Sequence, residues 1–137
     1  MHESYDVELR PGHGGHRRLG IIGGGQLASM TAAAARRLGC DVIILERHAF
    51  SPASHAAGDT VIGDWNDPAV VRAFASQVDV VSIENEFVDT AALRAVEAAG
   101  RPVRPSVAAL DLVQDKYLQK QRLRDAGLDV EIGRAHV

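Results

Sequence analysis

The sequence predicts an α/β fold in which a parallel sheet lies between two layers of helices. Three observations predict it. Short runs such as Leu19–Ile22, Asp41–Glu46 and Val78–Ile83 are almost wholly apolar, as strands covered on both faces should be. Segments of helical spacing separate them. The first run leads directly into Gly23-Gly24-Gly25 and then into a helical pattern, the strand–turn–helix of a Rossmann-like three-layer α/β/α domain. At 137 residues the chain suits one domain with a workable core.

Residues 1–18 are polar and glycine-rich and read as a flexible leader. They contain no apolar stretch of the kind a secretory signal needs. His13 and His16 flank Gly14-Gly15 without cysteine or carboxylate support at ligand spacing, so they predict no metal site. Strand one is Leu19–Ile22. The helix after it starts near Gly25 or Gln26, and Leu27, Met30, Ala34 and Leu38 form one apolar stripe along it. Arg36 and Arg37 suit the last turn, where cations complement the helix dipole, and Gly39 suits the C-cap. Cys40 opens strand two, Asp41–Glu46, as a buried small residue. It is the chain's one cysteine, so no internal disulfide can form.

A loop, RHAFSPASHAAGD, follows, and Thr60–Ile62 is a short third strand. Asp67-Pro68 starts a helix by the cap-then-proline rule, running to about Gln77. Val78–Ile83 is strand four. A helix from about Thr90 to Ala99 stops at Gly100, and Val103 marks a brief fifth strand. Ser106 caps a short helix, and Asp115 opens another that ends near Gly127.

In such sheets ligands bind outside the C-terminal ends of the strands. That edge should carry Gly23–Leu27, Glu46 with Arg47, Asp64–Asn66 and Glu84–Glu86. The glycines permit a tight bend, and the helix start favours an anion, so a phosphate or carboxylate is expected beside the turn. Gly23, Gly25 and Ala28 fit G-x-G-x-x-G/A, and Glu46 lies about twenty residues on, where a dinucleotide-binding domain holds a ribose hydroxyl. Gln26-Leu27 and the acidic segment VDVVSIENEFVD have no part in that reading. Glu84 and Glu86 would fall on one side of the chain if the strand continued, able to bind hydroxyls, amines or a metal. Arg101, Arg104, Lys116, Lys120, Arg122 and Arg124 outweigh Asp111, Asp115 and Asp125, a local excess that suits phosphates.

The net charge of −3 gives no electrostatic case for nucleic acid or a membrane surface. No apolar run approaches the roughly 20 residues of a membrane span. A cytoplasmic protein is expected.

Taken together, IIGGGQLASM, SPASHAAGD, GDWNDPAVVRAFA, DVVSIENEFVD, VRPS and LVQDKYLQKQRLRDAGLDV make the sequence resemble the N-terminal domain of the ATP-grasp carboxylate–amine ligases. The likeness is greatest to the 5-(carboxyamino)imidazole ribonucleotide synthase family of purine biosynthesis and covers roughly residues 19–130. GGGQL with QDKxxQK is much more specific than the glycines alone. The family commonly has E-F-E-N where this chain has Glu84-Asn85-Glu86-Phe87, and both carboxylate positions survive that swap.

The resemblance implies that ATP, with Mg2+, phosphorylates bicarbonate to carboxyphosphate. The amine of 5-aminoimidazole ribonucleotide then takes the carboxyl group. It implies substrate contacts at Gly24, Gly25, Gln26, Leu27 and Glu84, and an ATP phosphate contact at Lys116. It assigns no catalytic or metal residue to this chain. Members of the family are often dimers, so a homodimer is implied for the longer protein.

The same resemblance divides the chain into a leader (1–18), a pre-ATP-grasp domain (19–112) and the start of a linker or ATP-grasp region (113–130). The ATP-grasp and C-terminal domains would follow, so this chain alone should not turn over. Residues 131–137 have no counterpart in the family. IGRAHV is what ATC GGA AGA GCA CAC GTC encodes, a common sequencing adapter, so a non-native tail is expected there. Readings from other classes stay open: a phosphoribosylglycinamide-type ligase, an NAD-binding half-domain of an oxidoreductase, and a non-catalytic nucleotide-binding module.

Overall fold

Strands β1 (Arg18–Ile22), β2 (Asp41–Glu46), β3 (Asp59–Ile62), β4 (Val80–Ile83) and β5 (Val103–Arg104) form one sheet in the computed structural model. Their order is β3-β2-β1-β4-β5, and every pairing is parallel. Five helices accompany them: α1 (Gln26–Arg37), α2 (Pro68–Ala75), α3 (Thr90–Ala98), α4 (Val107–Gln114) and α5 (Lys116–Asp125). The structure describes residues 17–131. Residues 1–16 of the leader, with His13 and His16, and the tail 132–137 lie outside the described residues.

Alternation along the strands divides the core. Ile21, Val42 and Ile44 pack with Ala28, Ala32 and Ala35 of α1 and with Ala53 and Ala57. Ile22, Ile43, Leu45, Val81 and Val103 face the other way, against Val71 and Phe74 of α2, Leu93 and Val96 of α3, and Val107 and Leu110 of α4. This is the expected three-layer α/β/α arrangement. Phe74 sits so close to β1 that a Cβ on Gly20 would lie 2.8 Å from its ring. A glycine in the strand is what admits the ring.

The caps follow the sequence. Asp67 accepts the Ala69 N–H at 2.8 Å, Ser106 accepts that of Ala109 at 3.3 Å, and Asp115 accepts those of Tyr117 and Leu118 at 3.0 Å. Gly39 closes α1 with φ +82°.

Three expectations need correction. The stripe Leu27, Met30 and Leu38 does not enter the core: these residues are 64%, 61% and 84% exposed. The buried face of α1 is Ala28, Ala32 and Ala35, because the helix lies close to the sheet and to Ala53 and Ala57, where only small side chains fit. Cys40 precedes β2 and is only partly buried against that same cluster. Strand β4 begins at Val80 because Val78 still bonds back to Ala75 at the end of α2, and Asp79 brackets Arg18: its N–H reaches the Arg18 carbonyl at 2.9 Å and its Oδ2 accepts the Arg18 N–H at 2.7 Å. The loop after β2 also contains a 3₁₀ turn, Pro52–His55, with Ser51 and Ser54 capping each other reciprocally.

Candidate functional site

Strand order reverses between β1 and β4, and the crevice at such a switch point is where doubly wound sheets bind ligands. Ile22 lies level with Leu45 and with Ile83, so the loops after β1, β2 and β4 emerge together. Gly23 leaves β1 at φ +103° and donates its N–H to the Leu45 carbonyl at 2.9 Å. Gly25 is the N-cap of α1 and has no side chain of its own to cap with.

Glu84 supplies the anion. Its N–H reaches the Ile22 carbonyl at 2.9 Å, and its Oε2 accepts the Gly25 N–H at 2.9 Å. A Cβ on Gly25 would strike Glu84 Oε1, and one on Gly23 would lie 2.7 Å from Oε2 and 2.9 Å from the Glu84 Cβ. The phosphate or carboxylate that the turn calls for is therefore a carboxylate of the chain itself. A ligand phosphate at the same N–H would meet a like charge.

Glu46 closes the opposite side of the turn. It is the one charged residue among the described residues that is buried, at 9% exposure. Its Oε1 accepts the Arg47 N–H at 2.7 Å. A Cβ on Gly24 would lie 2.5 Å from both Glu46 Oε2 and Ser51 Oγ, and the Gly24 carbonyl accepts the Ala53 N–H at 3.0 Å. The sequence places Glu46 at the ligand edge. The segment Ser51–Ala53 folds over it and buries it. Each of the three turn glycines thus faces a specific acidic side chain.

Gln26 and Leu27 follow as the exposed first residues of α1. Gly24, Gly25, Gln26, Leu27 and Glu84 are thereby brought to one edge. Glu84 and Glu86 both lie beyond the end of β4, so strand alternation does not set their relation, and both border a pocket with Pro105 and Leu110. Strand β4 ends at Ile83, and Asn85 Oδ1 accepts the Phe87 N–H at 3.0 Å in an Asx turn. The bend sends Glu86 to a cleft of about 500 Å³ lined also by Asn66, Phe87, Gln114 and Lys116. Lys116 is the exposed first residue of α5, on the wall of that cleft, whose lining includes none of the turn glycines.

Sequence reasoning missed Gln114 as a structural tie. Its Nε2 donates to the carbonyls of Glu86 at 2.6 Å and Val88 at 2.9 Å. No sequence signal announces a bond across that separation.

The β2 and β3 ends carry a second polar group. Arg47 donates from Nε and Nη2 to Asp64 Oδ1 at 3.2 and 2.8 Å and stacks 4.3 Å over the Trp65 ring. The Asn66 backbone N–H, then the Arg47 guanidinium, hold the Asp64 carboxyl below its ordinary 3.8. A carboxyl depressed by folding stabilises the protein above its unfolded value, and that contribution fades as pH falls through the lower, folded one. A carbon-detected titration should therefore place the Asp64 midpoint below 3.8, and Arg47→Gln should move it upward. An unchanged midpoint would count against the pairing.

Among the described residues, no group of three or more His, Cys, Asp or Glu could hold a metal ion. No described helix is long and apolar enough to cross a membrane.

Comparison with known proteins gives this edge its context. The ribonucleotide synthetase preATP-grasp domain family matches residues 16–114. A phosphoribosylaminoimidazole carboxylase of Ogataea methanolica is 42% identical over 115 residues, spanning 82% of this chain and 21% of that protein. The N5-carboxyaminoimidazole ribonucleotide synthetase structure from Thermotoga maritima superposes with TM-score 0.79 at 32% identity, covering 83% of this chain and 32% of that one. The N5-carboxyaminoimidazole synthase of Aspergillus clavatus, solved with ADP and 5-aminoimidazole ribonucleotide, gives TM-score 0.73 at 37% identity over 82% of this chain and 30% of that one. This chain therefore spans about a fifth to a third of each relative. With its glycine turn, its strand order and its match over most of its length, the chain belongs to the ribonucleotide synthetase preATP-grasp domain family.

Proposed function

We propose that this chain forms the ribonucleotide-binding part of an ATP-dependent carboxylate–amine ligase. The longer protein would carboxylate 5-aminoimidazole ribonucleotide with bicarbonate to N5-carboxyaminoimidazole ribonucleotide, in purine biosynthesis. One observation carries the reading: in a member of this family, Glu84 stands over the glycine turn at the switch point. The Aspergillus clavatus relative holds ADP and 5-aminoimidazole ribonucleotide, which supports the ligand class.

In this reading Gly24, Gly25, Gln26, Leu27 and Glu84 contact the ribonucleotide. Glu84 accepts hydrogen bonds from its ribose hydroxyls or amine, and the ligand phosphate points away from that charge. Lys116 contacts an ATP phosphate from the cleft wall. Magnesium would neutralise phosphate charge in such a reaction. The residues described here offer no ligand set for it, so none of them is assigned to it. Helix α5 has no buried residue, which supports reading 113–130 as the start of a linker to further domains. A cytoplasmic location and a homodimer of the longer protein belong to the same proposal, and the exposed Met30 and Leu38 offer apolar surface for packing.

Titration of 5-aminoimidazole ribonucleotide into the ¹⁵N-labelled chain tests it. Saturable shifts are expected at Gly24, Gly25, Gln26, Leu27 and Glu84. Glu84→Gln should weaken binding about tenfold, the cost of losing one charge-assisted hydrogen bond. Shifts produced by NAD instead would favour the oxidoreductase reading. A flat titration with the ribonucleotide would overturn the proposal.

A further inference from the structure

We infer that Gln114 is a positioning residue that sets Glu84 and Lys116 relative to one another. The inference rests on the reading of those two residues as ligand contacts. The geometry that supports it does not.

Gln114 is the last residue of α4. Its carboxamide nitrogen donates to the carbonyls of Glu86 and Val88 at 2.6 and 2.9 Å, so both of its protons are used on one loop. That loop also carries Glu84, two residues before Glu86. Val88 packs in the core, and the loop's other hydrogen bonds to the rest of the described fold lie at its ends. Glu84 N–H bonds Ile22 and Glu84 Oε2 takes the Gly25 N–H, while Asp89 N–H reaches Asn66 Oδ1 at 3.3 Å. Between them the Asx turn at Asn85 shapes the chain but fastens it to nothing outside itself. Among the described residues, Gln114 supplies the hydrogen bonds that tie the middle of the loop to another element.

The same residue fixes where α5 starts. Asp115 stands alone between the two helices with φ −98° and ψ 100° and caps α5 through its side chain. Lys116 follows at once. A shift of Gln114 therefore moves the root of Lys116, and a shift of the loop moves Glu84. One carboxamide joins the two, and it lies in the wall of the cleft that Glu86 and Lys116 share.

The test needs no ligand. Gln114→Met keeps the length of the side chain and removes both donors. Gln114→Lys restores N–H donors at similar reach. The readout is the Gly25 amide, which no described bond connects to Gln114 and which reports the hydrogen bond to Glu84. In the Met variant the Gly25 proton should move upfield, its exchange should quicken about tenfold, and the Lys116 amide should shift. The Lys variant should return all three toward the wild-type values. A purely local role would move Phe87 and Val88 and leave Gly25 and Lys116 in place, and that result overturns the inference. If Gln114→Met does not fold, Gln114→Glu, which removes the same donors, is read in the same way. A flat ribonucleotide titration would sink the proposed function and leave this measurement standing. An unmoved Gly25 would do the reverse.

Discussion

Phe74→Ala is expected to lower the free energy of unfolding by about 3–5 kcal/mol, the range for removing a buried aromatic ring. Phe74 is wholly buried between α2 and the sheet, with Val71, Val78 and Leu93 in the same cluster. Its ring lies where a side chain of Gly20 would be, so β1 offers nothing to fill the space it leaves. The loss should fall toward the upper end for that reason. Against a total stability of roughly 5–15 kcal/mol, it would leave a substantial unfolded population under mild denaturant. Urea unfolding followed by circular dichroism measures it. The partner experiment is Gly20→Ala. Alone it presses a Cβ into the ring and should cost about 1–3 kcal/mol by overpacking. In the Phe74→Ala background it should cost less or gain, because the methyl then enters the cavity. Strict additivity would mean that the two residues do not share the space described.

Gly23→Ala is expected to cost about 3 kcal/mol, from two sources. At φ +103° an alanine is strained, by about 1–3 kcal/mol. Its Cβ also lies 2.9 Å from the Glu84 Cβ, which cannot rotate away as a carboxylate oxygen can, and that crowding adds about 1–3 kcal/mol. Gly100 separates the two. Its φ is +81° but no described atom lies within 4 Å of its would-be Cβ, so Gly100→Ala should show the backbone strain alone. Chemical denaturation of both variants gives the difference. Equal losses would show that Glu84 does not press on the turn. The Gly23 variant should also detach Glu84 from the Gly25 N–H.

The elements were legible because short apolar runs, proline after a capping aspartate, and glycines at helix ends each have a local cause. What escaped was set by distance in space. The face of α1 was misread because pattern analysis weighs large apolar residues. The closeness of Ala53 and Ala57 to the helix, which favours Ala28, Ala32 and Ala35, comes from a loop 18 or more residues along the chain. Glu84 was legible as a residue at the ligand edge, from its place at the end of an apolar strand. Its bond to Gly25 was not, since it pairs two residues from separate strand–helix units. The pairing of Glu84 with Glu86 was conditional on the strand continuing, and β4 stops at Ile83, before either residue. Glu46 was legible as a residue of the ligand edge, but its burial under the Ser51 segment was not.

A helix that carries its own counter-ion behaves differently from a bare one. At the start of α1 the Glu84 carboxylate already neutralises the partial positive charge, so an incoming anion gains little there and must first compete with a tethered rival. Hydrogen-bond donors such as alcohols and amines meet no such rival, because a carboxylate has lone pairs to spare beyond the one given to Gly25. Inorganic phosphate or sulfate should accordingly be poor competitors at this edge, and raising the ionic strength should change affinity for a neutral polar group only slightly. With one internal acid, a fold widely used to grip phosphates presents an edge that favours hydrogen-bond donors over anions.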